Sequence, residues 1–263
     1  MDIAERYVDL IAGLVQGRKV IVAGVPLAGT TRRIAQLRAL GCDRCLVVTN
    51  GLGTGDLPDP DDADHVIVPT PARDVIDEFR QVERMLANPP EAVRTALESF
   101  DPDRSALVLA GAFLPSSHVG DRPCYGARRA DWVALEDKTV CDAIFDAVGV
   151  RRPASVVVPV DRAELLRAAA QLDQGAGTVW SGDAREGFNG GGVFVRWIRG
   201  EGTEPDPDVD EALARFEPQC DRVRVAPFLE GVPCSIHGFV CHDGVAVFRP
   251  VELVNLRRRG EGR

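Results

Sequence analysis

The apolar residues of the first half of the chain follow two spacings in turn. Short, β-branched runs have the length of buried strands, whereas the apolar residues between them recur every three or four positions, as on one face of a helix. Strands are predicted at 20–23, 46–48, 66–68 and 106–109, and helices at 3–15, through Leu37 and Leu40, from Val75 to Leu86, and through Val93 and Leu97. Strands that alternate with helices favour a parallel sheet covered on both faces. We therefore expect an α/β layer domain at 1–130.

The second half of the chain has a less regular pattern. Strands are predicted at 155–158, 178–180, 193–197, around Val223 and Val225, and in a hairpin around Asp243-Gly244. Helices are predicted after two pairs of acidic capping residues, Asp161 with Glu164 and Asp208 with Glu211. This order favours a mixed, largely antiparallel α+β arrangement.

The turn at 24–31 follows the first strand and contains glycine, so it could hold a phosphate or a substrate carboxylate. It lacks the full G-x-G-x-x-G spacing, and no acidic residue ends the second strand as a ribose ligand would. Both departures argue against a Rossmann-type dehydrogenase.

Composition narrows the range of functions. The chain has 263 residues and a formal net charge of −9, which argues against general nucleic-acid binding. Its N-terminus lacks the pattern of a signal peptide, and no apolar run reaches transmembrane length, so we expect a cytoplasmic protein without a membrane partner. Among seven scattered cysteines, Cys42 and Cys45 form a CxxC that has no second pair at zinc-ribbon distance and does not open a helix, unlike a thioredoxin-type motif.

Lys138 is one of only two lysines in a chain that otherwise uses arginine for its cations. The apolar spacing from Val140 to Val148 predicts a helix with Asp137 as its N-cap, which places Lys138 in the first turn. A cation is unfavourable there unless lysine and helix N-terminus hold an anion together. The alternative is a solvated surface lysine paired loosely with Asp142.

A glycine-rich segment at 181–192 lies between two predicted strands and contains Gly190, Gly191 and Gly192 in succession. Consecutive glycines expose backbone N–H groups and let the chain approach phosphates closely. The segment lacks the lysine-threonine pair of a P-loop. It fits either a cover over phosphates or a plain hairpin loop.

These motifs occur in one order along the chain: Asp137-Lys138 opening a helix, the Gly149-to-Pro153 exit, the glycine-rich hairpin, and Pro227-Phe228-Leu229-Glu230-Gly231 with Ser235. In that order they resemble the ATP-grasp superfamily, most closely its carboxylate–amine and peptide ligases, and the first half resembles the pre-ATP-grasp domain. The resemblance implies a Rossmann-like pre-ATP-grasp domain at 1–130, a first ATP-grasp lobe at 131–228, and a hinge with the start of an incomplete second lobe at 229–263.

The resemblance also implies a function and a set of ligands. The chain would be an ATP-binding ligase module that joins a small-molecule carboxylate to an amine through an acylphosphate, with ATP and Mg²⁺ as cofactors. The alternative is a non-catalytic nucleotide- or ligand-binding module. Which acid and amine are joined, and whether the protein is a homo-oligomer, stay open.

Site residues follow from the same resemblance. Lys138 would contact the ATP phosphates, and the loop with Gly190, Gly191 and Gly192 would cover them. The remaining nucleotide contacts would come from Asp183, Phe228, Leu229 and Glu230. Glu230 would accept hydrogen bonds near adenine or ribose; the alternative is a turn residue before Gly231.

Two departures from the family pattern affect the charges. The strand before the glycine-rich loop has no second lysine, so Arg196, or Arg185, could supply the missing positive charge. The family's metal-binding Glu-x-Asn appears here only as Glu252-Leu253-Val254-Asn255, with different spacing and close to the chain end. These differences favour a strand residue that faces the cleft over a main metal ligand for Glu252, which is still the one candidate magnesium ligand. The chain looks C-terminally incomplete.

Overall fold

The computed structural model describes residues 3–73, 75–111, 114, 117–126, 128, 130–183, 194–200, 206–241, 244–253, 257–258 and 261–262. The chain divides into two compact units, unit 1 (Met1–Trp132) and unit 2 (Val133–Arg263). Together they give a mixed α/β protein with parallel and antiparallel sheets. In the described part of the chain, no helix is both long and apolar enough to cross a membrane.

Unit 1 is built around one six-stranded sheet. Its strands are β1 (Lys19–Ala23), β2 (Arg44–Thr49), β3 (Ala63–Ile67), β4 (Leu107–Ala110), β5 (His118–Val119) and β6 (Arg122–Tyr125), and its helices are α1 (Ile3–Val15), α2 (Leu27–Ala39), α3 (Val75–Ala87) and α4 (Glu91–Phe100). The strand order is β3-β2-β1-β4-β6-β5, parallel except for the β5–β6 pair. The predicted α/β layer with a parallel sheet is confirmed.

The apolar runs of unit 1 form strands because both faces of the sheet are covered. Ile21 and Ala23 of β1 belong to a core cluster with α3 and α4, whereas Val20 and Val22 belong to a second cluster with α1 and α2. All four side chains are fully buried. A strand buried on both faces has no place for polar residues, which explains its uninterrupted apolar sequence.

The turn after β1 already uses most of its donors. At the start of α2, the N–H of Leu27 donates to Gly51 O at 3.0 Å and the N–H of Ala28 donates to Leu52 O at 2.8 Å. Gly24 has φ +77°, and a Cβ there would lie 2.2 Å from Leu114 Cδ1, so close packing requires this glycine. The turn therefore offers an anion fewer donors than its sequence suggests.

Unit 2 contains a four-stranded antiparallel sheet of order β7-β10-β8-β9. Its strands are β7 (Val156–Pro159), β8 (Thr178–Gly182), β9 (Val195–Ile198) and β10 (Arg222–Pro227); its helices are α5 (Cys141–Ala147), α6 (Arg162–Leu172) and α7 (Pro207–Phe216). A 3₁₀ helix spans Ala130–Glu136. Three two-stranded ribbons follow, β11 (Cys234–Ser235) with β14 (Val251–Glu252), β12 (Gly238–Cys241) with β13 (Gly244–Val247), and β15 (Arg257–Arg258) with β16 (Glu261–Gly262). The predicted antiparallel α+β arrangement is confirmed.

Two of the three predicted helix starts in unit 2 are displaced. Asp161 caps α6 as predicted, accepting a hydrogen bond from Glu164 N at 3.0 Å. The cap of α7 is Asp206, which accepts from Asp208 N, so the prediction of Asp208 is wrong by two residues. The helix predicted to start at Lys138 begins only at Cys141. More than one acidic residue stands shortly before each displaced helix start. The residue types alone do not show at which position the helix begins.

Candidate functional site

The sheet of unit 2 has two different faces. Residues directly opposite each other on antiparallel strands point to the same face. Val225 is opposite Trp180, and Trp180 is opposite Arg196; α6 lies against β7 and β10, and α7 against β9, over this buried face. We call it the helix-covered face. Arg224, opposite Ser181, belongs to the second face.

The second face carries an aromatic pair at one end. Phe228 follows Arg224 by four residues. Trp197 is opposite Val179, and Val179 is opposite Ala226, so Trp197 and Phe228 both belong to this face. The rings of Trp197 and Phe228 stack with centroids 4.4 Å apart and planes 25° apart. Trp197 Nε1 donates to Ala176 O at 2.9 Å, which fixes the indole. The pair forms a rigid apolar surface where β10 ends.

The segment after β10 leaves its main chain exposed. The N–H of Phe228 donates to Gly177 O at 2.9 Å and so continues the sheet by one residue. Leu229 and Glu230 are exposed, and their backbone groups make no hydrogen bond to other described residues. Free donors and acceptors beside a stacked ring pair can receive the edge of a planar heterocycle.

Lys138 lies in a turn, not in a helix. Asp137 Oδ1 accepts from both the N–H and the hydroxyl of Thr139, each at 2.7 Å, and the N–H of Val140 donates to Asp137 O at 3.2 Å. Asp137 thus closes a local turn, and the helix starts after it. The predicted N-cap role of Asp137 is wrong. The side chain of Lys138 is exposed and, within the described residues, its amino group has no hydrogen bond or ion pair.

The other lysine, Lys19, has its partners within unit 1. Lys19 Nζ donates to Phe100 O at 2.7 Å and lies 5.3 Å from the centroid of the Phe100 ring. It satisfies a carbonyl at the C-terminal end of α4, where a cation is favourable. Lys138 is therefore the lysine whose amino group is open to a ligand.

An ion pair fixes the Lys138 turn to the second face. Helix α5 has no buried residue, yet Asp142 in its first turn accepts from Arg224 Nε at 3.0 Å and Nη2 at 2.8 Å. Ser155 Oγ donates to Asp142 at 2.5 Å. Burial raises the pKa of the Asp142 carboxyl, but the hydrogen bonds from Arg224 and Ser155 outweigh it, and the pKa is below its ordinary value. The suggested pairing of Asp142 with Lys138 is wrong, because Arg224 occupies this carboxylate.

Arg224 was not among the candidates from the sequence. The sequence signal that could have identified it is the alternation of arginines with Val223 and Val225. Successive side chains of a strand point to opposite faces, so Arg224 points away from the face on which Val223 and Val225 are buried. Its partner is 82 residues away in the chain and leaves no local signal.

Two sequence candidates lie elsewhere in unit 2. Arg196 is on the helix-covered face, 4% exposed, with Nη1 donating to Val195 O at 2.9 Å. Asp183 is buried, and its carboxylate accepts from the N–H groups of Asp221 at 3.1 Å and Arg222 at 2.9 Å. It ties the end of β8 to β10. These placements bring neither side chain to the second face with Lys138 and Phe228.

Two further candidates cannot be joined to the site. Gly190, Gly191 and Gly192 lie outside the described residues. Glu252 is exposed on the ribbon of β11 and β14, opposite Cys234. In the parts of the chain that the structure describes, no group of three or more His, Cys, Asp or Glu side chains could hold a metal ion. Glu252 and its described neighbours therefore do not fit a magnesium site.

A cavity of about 700 Å³ occurs in unit 1, far in sequence from these candidates. It is lined by Leu27, Leu57, Pro58, Asp59, Pro60, Ala63, Asp64 and His65. The negative charge of Asp64 in this lining is balanced by Arg44, whose guanidinium donates to the Asp64 carboxylate at 2.9 Å. Leu27 of the turn at 24–31 lines it, but none of the residues predicted for the nucleotide site does.

Comparisons with known proteins add little to this geometry. No family model matches the chain, and no curated protein matches it. Solved structures that resemble it include the N5-carboxyaminoimidazole synthetase from Staphylococcus aureus, with a TM-score of 0.47, 11% sequence identity, and coverage of 93% of this chain and 56% of that chain. The chain thus spans about half the length of that protein, and a likeness at this TM-score carries no argument.

Proposed function

We propose that unit 2 binds ATP as part of a ligase that joins a small-molecule carboxylate to an amine through an acylphosphate. One observation carries the proposal: the Asp142–Arg224 pair fixes the Lys138 turn to the strand that runs directly into the exposed linker at 228–230. Lys138 thus belongs to a segment that is held at the middle of β10, and a free strip of main chain follows the end of that strand.

The dimensions and chemistry of the second face support a nucleotide. Arg224 and Phe228 are four residues apart on extended chain, about 13 Å, which is comparable to the length of a nucleoside triphosphate. In the proposed arrangement Lys138 contacts the phosphates, the main chain of Leu229 and Glu230 meets the purine edge, and the Glu230 carboxylate accepts from the ribose hydroxyls.

The proposed chemistry is a transfer of the terminal phosphoryl group to the substrate carboxylate, followed by displacement of phosphate by the amine. The amino group of Lys138 would stabilise the negative charge that the phosphate oxygens carry during transfer. The family resemblance implies Mg²⁺, but the described residues form no site for it, so no step is assigned to a metal. A covering role for Gly190, Gly191 and Gly192 stays a prediction.

A second candidate is nucleotide binding without catalysis. It is favoured by the position of Glu252, which is exposed on a two-stranded ribbon and, in the described residues, does not belong to a cluster of metal ligands. Both candidates require the same contacts to ATP. They differ in whether an acylphosphate forms.

Calorimetric titration with ATP tests the binding step. Replacing a charged hydrogen-bond donor costs about 1.5–3 kcal/mol, so Lys138→Ala should raise the Kd about 10- to 150-fold. The matched control is Arg33→Ala, which removes an exposed cation from unit 1 and should leave the Kd unchanged. If Lys138→Ala binds ATP as tightly as the unaltered chain, the assignment of Lys138 to the phosphates is wrong.

The ribose contact has a separate readout. The unaltered chain should bind ATP more tightly than 2′-deoxy-ATP, and Glu230→Gln should reduce that preference more than it reduces the affinity for 2′-deoxy-ATP. An unchanged preference would identify Glu230 as only a turn residue before Gly231.

Hydroxylamine trapping separates the two candidate functions. With ATP, a pool of carboxylic acids and hydroxylamine, a ligase should release ADP and form a hydroxamate from the acylphosphate. ATP binding without hydroxamate supports the non-catalytic module, and the absence of ATP binding rejects both.

A further inference from the structure

Cys42 lies between α2 and β2 of unit 1, Cys45 is the second residue of β2, and their thiols are in contact. Their sulfur atoms are 3.7 Å apart and share a hydrogen bond, and both cysteines are free. The residues are 2% and 0% exposed. Because a buried cysteine often serves only as a small apolar packing residue, the reactivity of the two thiols depends on the groups around them.

The backbone that carries the two thiols is fixed at several points. Cys42 N donates to Leu37 O at 3.0 Å, and Cys45 N donates to Asp62 O at 3.1 Å. The guanidinium of Arg38 donates to the carbonyls of both Cys42 and Asp43. A disulfide requires sulfur atoms about 2.05 Å apart, so these must approach by about 1.7 Å. Because the backbone is held at these points, the approach would have to come from rotation about the side-chain torsions of the two cysteines.

The two thiols differ in their readiness to ionise. The hydrogen bond with Cys45 lowers the pKa of Cys42, burial opposes this, and the positive charge of Arg38 adds to the lowering. The hydrogen bond with Cys42 and burial both raise the pKa of Cys45. The lowered pKa favours Cys42 as the attacking thiol, since the thiolate is the reactive form.

We propose that Cys42 and Cys45 form an oxidation site that closes to an intramolecular disulfide when the protein meets a peroxide. The Cys42 thiolate attacks one peroxide oxygen, the O–O bond breaks, and the leaving hydroxide takes up the thiol proton to become water. The Cys45 sulfur then attacks the Cys42 sulfenic sulfur, and hydroxide leaves with the Cys45 proton as a second water. Two thiols and one hydrogen peroxide give one disulfide and two waters. The site lies in unit 1 and is independent of the proposed function of unit 2.

Peptide mapping of the full chain tests this directly. The protein is treated with hydrogen peroxide, quenched with catalase, alkylated with N-ethylmaleimide in guanidinium chloride so that buried thiols react, and digested with trypsin without reduction. Trypsin cuts after Arg38, Arg44 and Arg73, so the disulfide would join peptides 39–44 and 45–73 into one species. We expect this linked species to become the main form of both peptides and to separate after phosphine reduction.

Cysteine-to-serine variants show which thiols form the linked species. Cys42→Ser and Cys45→Ser should each abolish the linked species, whereas Cys234→Ser, which removes an exposed thiol of unit 2, should leave its yield unchanged. The mapping of the unaltered chain needs no variant to fold. Full alkylation of both peptides after peroxide, or sulfinic acid on separate peptides, would overturn the proposal.

Discussion

Replacing Asp142 by asparagine tests whether one ion pair holds α5 to its sheet. The side chains of Asp142 and Arg224 are 17% and 13% exposed, and the guanidinium donates to the carboxylate through both Nε and Nη2. Breaking a fully buried pair costs about 3–5 kcal/mol, and removing a charged hydrogen-bond partner costs about 1.5–3 kcal/mol. Because water reaches part of this pair, we expect Asp142→Asn to lower the free energy of unfolding of unit 2 by about 2–3 kcal/mol.

The matched control is Asp146→Asn in the same helix. It changes the net charge equally, but Asp146 is 60% exposed in its pair with Arg152. Exposed pairs contribute about 0–1 kcal/mol, so the control should change stability little. Urea unfolding followed by tryptophan fluorescence reports mainly on unit 2, which contains Trp180 and Trp197, whereas the third tryptophan, Trp132, belongs to unit 1. With an m-value of about 2 kcal/mol/M, Asp142→Asn should move the midpoint by about 1 M.

Two results would refute this reasoning. Equal midpoints for the two variants would mean that the Asp142–Arg224 pair does not hold α5. A double-mutant cycle with Arg224→Gln that gave no coupling would mean the same, because contacting partners should couple by about 0.5–3 kcal/mol.

The same pair has a predicted pH dependence. The pKa of Asp142 is lowered in the folded protein, so the pair contributes its full stability above the unfolded pKa of about 4 and loses it as pH falls through the lower folded value. The difference between the unaltered chain and Asp142→Asn should therefore shrink only below about pH 4. A difference that disappears already at pH 6 would contradict the assigned cause.

The remaining predictions concern backbone and packing. Gly177 has φ +84° and a Cβ there would lie 2.3 Å from Ile198 O, so Gly177→Ala should lower the unfolding free energy by about 3 kcal/mol or more, measured by urea unfolding. Gly175→Ala, at φ +100° with no atom within 4 Å, should cost only about 1–2 kcal/mol; equal losses would exclude the clash. Lys19→Met should cost about 1–2 kcal/mol because a carbonyl of α4 loses its donor. Lys138→Met should leave the thermal midpoint unchanged, because its amino group has no partner among the described residues. Equal losses of stability in the two lysine variants would mean that the Lys19 hydrogen bond does not stabilise unit 1.

The strands of unit 1 could be predicted because their cause is local. A run such as 20–23 is apolar throughout, which a strand buried on both faces requires, and the structure confirms it. Helix α6 could be predicted for a similar reason, since Asp161 and Glu164 stand at the required spacing. The start of α5 could not, because Asp137 satisfies either a helix N-cap or a local turn with the same side chain.

The candidate site was predicted in part. The order of Lys138 and the Phe228-Leu229-Glu230 linker along the chain led to both ends of the proposed nucleotide site, and the assignment of these residues stays a prediction. The face on which Arg196 lies could not be obtained from its own neighbours, because register with Trp180 decides it. A shift of one residue would have placed Arg196 on the second face.

Most strands and helices could be predicted from the sequence, which also shows that Lys138 is one of two lysines, because these properties depend on residues at most a few positions apart. Three contacts became visible only in the folded chain: Lys19 donates to a carbonyl, Arg224 pairs with Asp142, and Cys42 and Cys45 share a hydrogen bond. Charge pairing and thiol contact depend on distance in space. Asp142 and Arg224 meet only because α5 and β10 are brought together by folding.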